Sequence, residues 1–225
     1  MTYLLSGYDV RNQLTALALA IARLVGRRDG EDPGSVLIAV RRAGAAESLG
    51  GWLGLMMFDM ASLVELRGQY PLLHYSHEPN DDRAMPIALS DLLELVSLAQ
   101  SMLDPGQYPA LADGPTIKAV ERVGRHYLGE RDGGQGDDTE RFKRQRRRRY
   151  TASRERLARE GIALRPDEAR GLYQSIAGRW DVADYRMRGW VGYPQPRRLA
   201  PARPSDRRRV FPVRYCRDSP GSAQA

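Results

Sequence analysis

Apolar residues recur at helical spacing through most of the first 129 positions. Leu14, Leu17, Ile21, Leu24 and Val25 form the first stripe, with Asp9 able to cap its start and Gly26 able to end it. Residues 27–34 (RRDGEDPG) are dense in turn formers, and 36–40 (VLIAV) fit either a buried strand or the start of a second helix. From Trp52 onward, Leu55, Met56, Met60, Leu63 and Val64 describe another helix, expected at the centre of the core because Gly50, Gly51 and Gly54 permit close approach. Residues 68–85 are irregular, with 70–75 suiting a short edge strand. Ser90 is placed to cap a mostly buried helix through Leu92, Leu93, Leu95, Val96, Ala99, Met102 and Leu103, which Asp104, Pro105 and Gly106 end. Pro115 opens a further helix carrying Ile117, Val120, Val123, Tyr127 and Leu128.

The run 130–138 (ERDGGQGDD) has no apolar residue and reads as a flexible linker after a folded helical domain spanning 1–129, which is expected to fold alone. Beyond it, Asp138 or Thr139 can cap a helix running to Glu160, and Gly161 can stop it. A second helix opens at Pro166, Asp167 and Glu168 and carries Ala169, Leu172, Tyr173 and Ile176. Residues 139–184 are therefore expected to form a basic helical hairpin, and 185–225, rich in Arg, Pro and aromatic residues without periodicity, an extended or disordered basic tail. The fold class expected is mainly α, with one or two short strands at most.

Composition narrows the partner more than the reaction. The chain has 225 residues, 42% hydrophobic and 8% aromatic, enough for one sizeable core. The single cysteine, Cys216, excludes a disulfide framework and suits a cytoplasmic protein. Only Lys118 and Lys143 among the 35 basic residues are lysines, a bias expected of a GC-rich bacterial genome. The first ten residues lack the positive region of a secretory signal, and the longest apolar window, 49–66, is interrupted by Asp59 and Glu65, so no membrane association is expected. The net charge of +7 is unevenly spread: residues 1–115 hold 8 basic and 14 acidic side chains, residues 116–225 hold 27 and 14. That asymmetry points to a polyanion met by the second half.

The candidate site is the arginine-rich helix. Consecutive Arg146, Arg147, Arg148 and Arg149 point to nearly all sides of a helix, which excludes a conventional apolar stripe and places them in solvent or against phosphates. Lys143, Arg144, Tyr150 and Arg154 extend the group, and Arg188, Trp190, Tyr193, Arg197 and Arg198 continue it in the tail. Aromatic faces can stack on unpaired bases while guanidinium groups follow the backbone, so single-stranded RNA or DNA is the favoured partner. The competing expectation for Trp180, Tyr185 and Trp190 is that they pack back onto the folded part as anchors. The N-terminal domain is assigned to self-association or to docking a protein partner.

Two alternatives accompany this reading. His74 and His77, with Asp81 nearby, offer metal-ligand types for a metal-dependent nuclease or nicking enzyme, but histidines three apart fall on opposite faces of a strand. The arginine-rich segment can also dock an acidic protein in an assembly. No nucleophile elbow, phosphate loop or dinucleotide fingerprint occurs, so neither catalytic residues nor a cofactor are assigned. His126 reads as structural or phosphate-facing, and Cys216 as an inert thiol.

Overall fold

A computed structural model of the chain describes residues 2–24, 33–69, 84–128 and 140–191, with the backbone alone at 2–10, 67–69, 168 and 189–191. These residues form helices α1 (Thr2–Leu24), α2 (Pro33–Arg42), α3 (Ala46–Gln69), α4 (Met85–Met102), α5 (Pro115–Tyr127), α6 (Glu140–Arg159), α7 (Arg170–Gly178) and α8 (Asp181–Val191), with a single helical turn at Pro109–Ala112. The described residues form no strand, which resolves 36–40 as part of α2, and the mainly α class holds. An isolated antiparallel bridge joins Leu103 to Leu164. Residues 70–75, including the expected edge strand, lie outside the described residues.

The centre of the core is α4 rather than α3. A helix apolar nearly all round has to be enclosed on every side, and all of α4 from Met85 to Met102 is buried except Asp91. Around it stand α1, α2, α5, α7 and α8, while α3 packs outside α5 and α1. Gly124 lets α5 lie close against α4, since a Cβ there would lie 2.8 Å from Leu93 Cδ2. The expected central position of α3 fails because one of its faces is left uncovered: Leu55 and Phe58 are 68% and 66% exposed.

Helix ends correct several capping assignments. Asp9 lies inside α1 rather than at its start, and α4 begins five residues before Ser90, with Ala84 as N-cap and Pro86 in its first turn. Ser90 is instead buried, its hydroxyl donating to Asp184 Oδ2 at 3.2 Å. Gly161, at φ +68°, does end α6, because only glycine adopts that left-handed conformation without a Cβ penalty.

The core runs across the boundary expected near residue 129. Tyr150, Leu157, Ile162, Tyr173, Ala177, Trp180 and Met187 belong to the same apolar cluster as Leu89, Leu93 and Val96 of α4. The backbone joins as well: Asp104 N–H donates to the Ala163 carbonyl at 3.0 Å, and Arg165 N–H to the Met102 carbonyl at 2.7 Å. The expected extended tail also starts later, because α8 carries helix through Tyr185 to Val191.

Candidate nucleic-acid interface

Helix α6 has two faces, and the arginine run divides between them. At 100° per residue, Phe142, Arg146, Arg149, Tyr150, Ser153 and Leu157 share one side. That side faces inward: Phe142 is half-buried and the other five are buried. The expectation that Arg146, Arg147, Arg148 and Arg149 all meet solvent or phosphate is therefore corrected at two positions. A helix can bury an arginine stripe when carboxylates wait beneath it, because a paired and hydrogen-bonded charge avoids most of the penalty of an isolated one.

The carboxylates come from two other helices. Arg146, 1% exposed, donates through Nη1 to both oxygens of Asp181, each at 3.0 Å. Arg149, 2% exposed, donates through Nη1 to Glu94 Oε2 at 2.7 Å and through Nη2 to Asp181 Oδ2 at 3.3 Å. Tyr173 closes the group, its hydroxyl donating to Glu94 Oε1 at 2.5 Å. The guanidinium carbon of Arg149 also lies 6.0 Å from the Tyr173 ring centre and 5.9 Å from that of Trp180, within cation–π range. Burial acts to lower the Arg149 pKa, but Glu94, Tyr173, Asp181 and Asp184 together outweigh it and hold the pKa above the ordinary arginine value. Arg149 is thus a permanent cation.

The receiving surface is a polar stripe on α4. Ser90, Glu94, Ser97 and Ser101 lie on one side of this largely apolar helix, and all are buried. Ser90 meets Asp184, Glu94 meets Arg149 and Tyr173, and Ser97 accepts from Trp180 Nε1 at 3.0 Å. Asp184 in turn accepts from Arg188 Nε at 3.0 and 3.1 Å. Arg188, assigned from sequence to phosphate contact, is buried against that carboxylate and is removed from the candidate set. Tyr150 is removed as well: it is fully buried, and its ring packs 5.6 Å from that of Tyr173. Trp180 is an anchor, as the competing expectation had it.

The outward side keeps its charge. Arg141, Arg144, Arg147 and Arg148 are exposed, and among the described residues neither Arg147 nor Arg148 has a carboxylate partner. Arg144 Nε donates to the Glu140 carbonyl at 3.3 Å, and Lys143 pairs with Glu140 at 3.1 Å on the helix surface. Arg154 is half-buried, bonding the Arg165 carbonyl at 2.8 Å and pairing with Asp167 at 3.2 Å, so it braces the turn between α6 and α7. Sequence reasoning passed over Arg141 and the aromatic contact beside it: Phe142 and Tyr185 meet edge to face, ring centres 5.5 Å apart, and both are half-buried. Arg186 follows on α8 and is exposed.

The remaining candidates fall elsewhere. The Trp190 side chain, Tyr193, Arg197 and Arg198 lie outside the described residues, as do His74, His77 and Asp81. Among the described residues no group of three or more His, Cys, Asp and Glu side chains is placed to hold a metal. His126 is exposed on α5, beside a cleft of about 620 Å³ lined by Val64, Glu65, Arg122 and Val123. Among the described residues one helix, α3, is long and apolar enough to cross a membrane. No known protein family, curated protein or solved structure matches the chain.

Proposed function

We propose that the protein binds nucleic acid without cleaving it, through phosphate contacts made by Arg141, Lys143, Arg144, Arg147 and Arg148 on the outer side of α6. The observation that supports this reading is the sorting of one arginine run: Arg146 and Arg149 are neutralised inside, whereas Arg147 and Arg148 are exposed and have no carboxylate partner among the described residues. Surface guanidinium groups can fork onto phosphate oxygens and release counterions. The inner pairs hold the helix so that the outer side has a fixed orientation. Single strands remain the favoured class, with Trp190 and Tyr193 as stacking candidates and Arg197 and Arg198 as further phosphate contacts beyond α8.

A titration of single-stranded RNA, single-stranded DNA and duplex DNA at several salt concentrations tests the proposal. The expected result is binding that weakens steeply with salt, with single strands held more tightly than duplex. Absence of binding to all three at low salt would overturn it. Selective capture of an acidic polypeptide instead would support the assembly-subunit reading.

A further inference from the structure

One side of α3 is an apolar strip between carboxylates. Glu47, Gly51, Leu55, Phe58, Ser62 and Glu65 recur every three or four residues and all are exposed, on the side opposite buried Leu53, Met56 and Met60. Leu55 and Phe58 project at its centre, the Ser62 hydroxyl turns back to donate to the Phe58 carbonyl at 3.1 Å, and a Cβ at Gly51 would meet nothing within 4 Å. Asp59, also exposed, flanks the centre. Glu47, Asp59 and Glu65 have no cationic partner among the described residues. An occupant of this side therefore needs apolar side chains in its middle and cations at its ends, whereas a second α3 or an anionic bilayer brings negative charge.

The chain carries that pattern itself. Residues 207–217 (RRRVFPVRYCR) hold an apolar run between arginines, and in an extended chain, where alternate residues share a face, one face reads Arg207, Arg209, Phe211, Val213, Tyr215 and Arg217. We infer that residues 207–217 dock in extended form on this side of α3 of the same chain, antiparallel to the helix. The lengths agree: Glu47 to Glu65 covers about 27 Å of helix, and Arg207 to Arg217 about 33 Å of extended chain. Phe211 meets Phe58, Val213 meets Leu55, and the Tyr215 ring lies over Gly51. Charge sets the direction. Asp59 and Glu65 lie toward the C-terminal end of α3, where the helix dipole also favours cations, and take Arg207 and Arg209, while Glu47 takes Arg217.

Reach favours the same chain. Residues 192–206 lead from α8 to the docking segment and include Pro194, Pro196, Pro201 and Pro204. From Val191 to Val210 a proline-rich extended chain covers up to about 59 Å, and a folded body of this size is about 40 Å across. The tether holds the segment at an effective concentration on the order of millimolar. The nearer run 197–203 (RRLAPAR) has the same order of charges, but Leu199 is its one large apolar side chain, so it fills the strip less well. Docking of 207–217 is independent of the nucleic-acid reading, and neither falls with the other.

Trypsin digestion of the full chain, freed of nucleic acid, reads the contact as the rate of cleavage after Arg209. Leu55→Glu combined with Phe58→Glu is expected to speed that cleavage roughly 10-fold or more, because proteolysis tracks the open population and a central anchor carries much of a contact's affinity. Both side chains are exposed on the folded body, so helical content and thermal midpoint should stay at the wild-type level. Orientation is read with Gly51→Cys and Ser62→Cys proteins, each also carrying Tyr215→Cys and Cys216→Ser. A disulfide needs Cα atoms within about 7 Å, and Ser62 lies about 16 Å along the helix from Gly51. The Gly51→Cys protein should therefore form an intrachain disulfide under mild oxidation, and the Ser62→Cys protein should form it at a rate lower by roughly 10-fold or more. Equal crosslinking of the two, disulfides only between chains, wild type cut as fast as the paired glutamate variant, or protection that arises only when single-stranded nucleic acid is added would each overturn the proposal.

Discussion

Arg149 and Glu94 are 55 residues apart in the chain and 2.7 Å apart in space, joined by a charge-assisted hydrogen bond that ties the basic helix α6 to the central helix α4. Arg146 and Asp181 make the equivalent tie to α8. Two positive and two negative groups are buried together, so these pairs add no net charge to the core where α4, α6 and α8 meet.

The arginine run should separate into two phenotypes. Arg149→Met leaves Glu94 and Asp181 without their shared cation and is expected to cost about 3 to 5 kcal/mol of stability, measured by urea unfolding. Arg148→Gln, one residue earlier, should change stability by no more than about 0.5 kcal/mol. Similar unfolding midpoints for the two proteins would show that the inner pair does not hold the helix.

Binding should respond in the opposite way. Replacing Arg144, Arg147 and Arg148 together by Gln is expected to lower the slope of log K against log salt by about 2 to 3, at roughly 0.7 to 0.9 for each phosphate no longer neutralised, with an unchanged thermal midpoint. Affinity should fall by a similar factor for all sequences, because phosphate contacts carry no base information. An unaltered slope would move the interface off α6.

Trp180→Phe should keep the ring packing but lose the bond from Nε1 to Ser97, for a cost of about 1 kcal/mol. Trp180→Ala should cost about 3 to 5 kcal/mol, since a fully buried indole is removed. Equal effects of the two changes, read by denaturant titration, would show that the hydrogen bond rather than the packing dominates.

A chain cut after residue 129 exposes the polar and apolar side of α4 that α6, α7 and α8 cover. Glu94 would be left without Arg149 and Tyr173, and Leu93 and Val96 without part of the shared cluster. Amide exchange should therefore show weakened protection in α4 relative to the full chain. Full protection there would mean that 1–129 is self-sufficient after all.

Most helices were legible in the sequence because their signal is local. The apolar stripes of α1 and α5, Pro115 at the start of α5 and Gly161 at the end of α6 are set by side-chain spacing and backbone preference within a few residues. Residues 36–40 were ambiguous on the same grounds, since a run of five apolar residues fits either period and tertiary packing chose helix. What the sequence could not decide was which arginines are inside. Arg146 and Arg149 differ from Arg147 and Arg148 only in the direction each takes around α6, and that direction gains meaning from carboxylates 32 to 55 residues away. One signal lay in the sequence: Ser90, Glu94, Ser97 and Ser101 repeat at helical spacing inside an apolar helix, the mark of a buried polar seam awaiting a partner. The identity of that partner is a long-range matter, because a buried charge is tolerable only where another element delivers its opposite, and only the folded chain brings the two together.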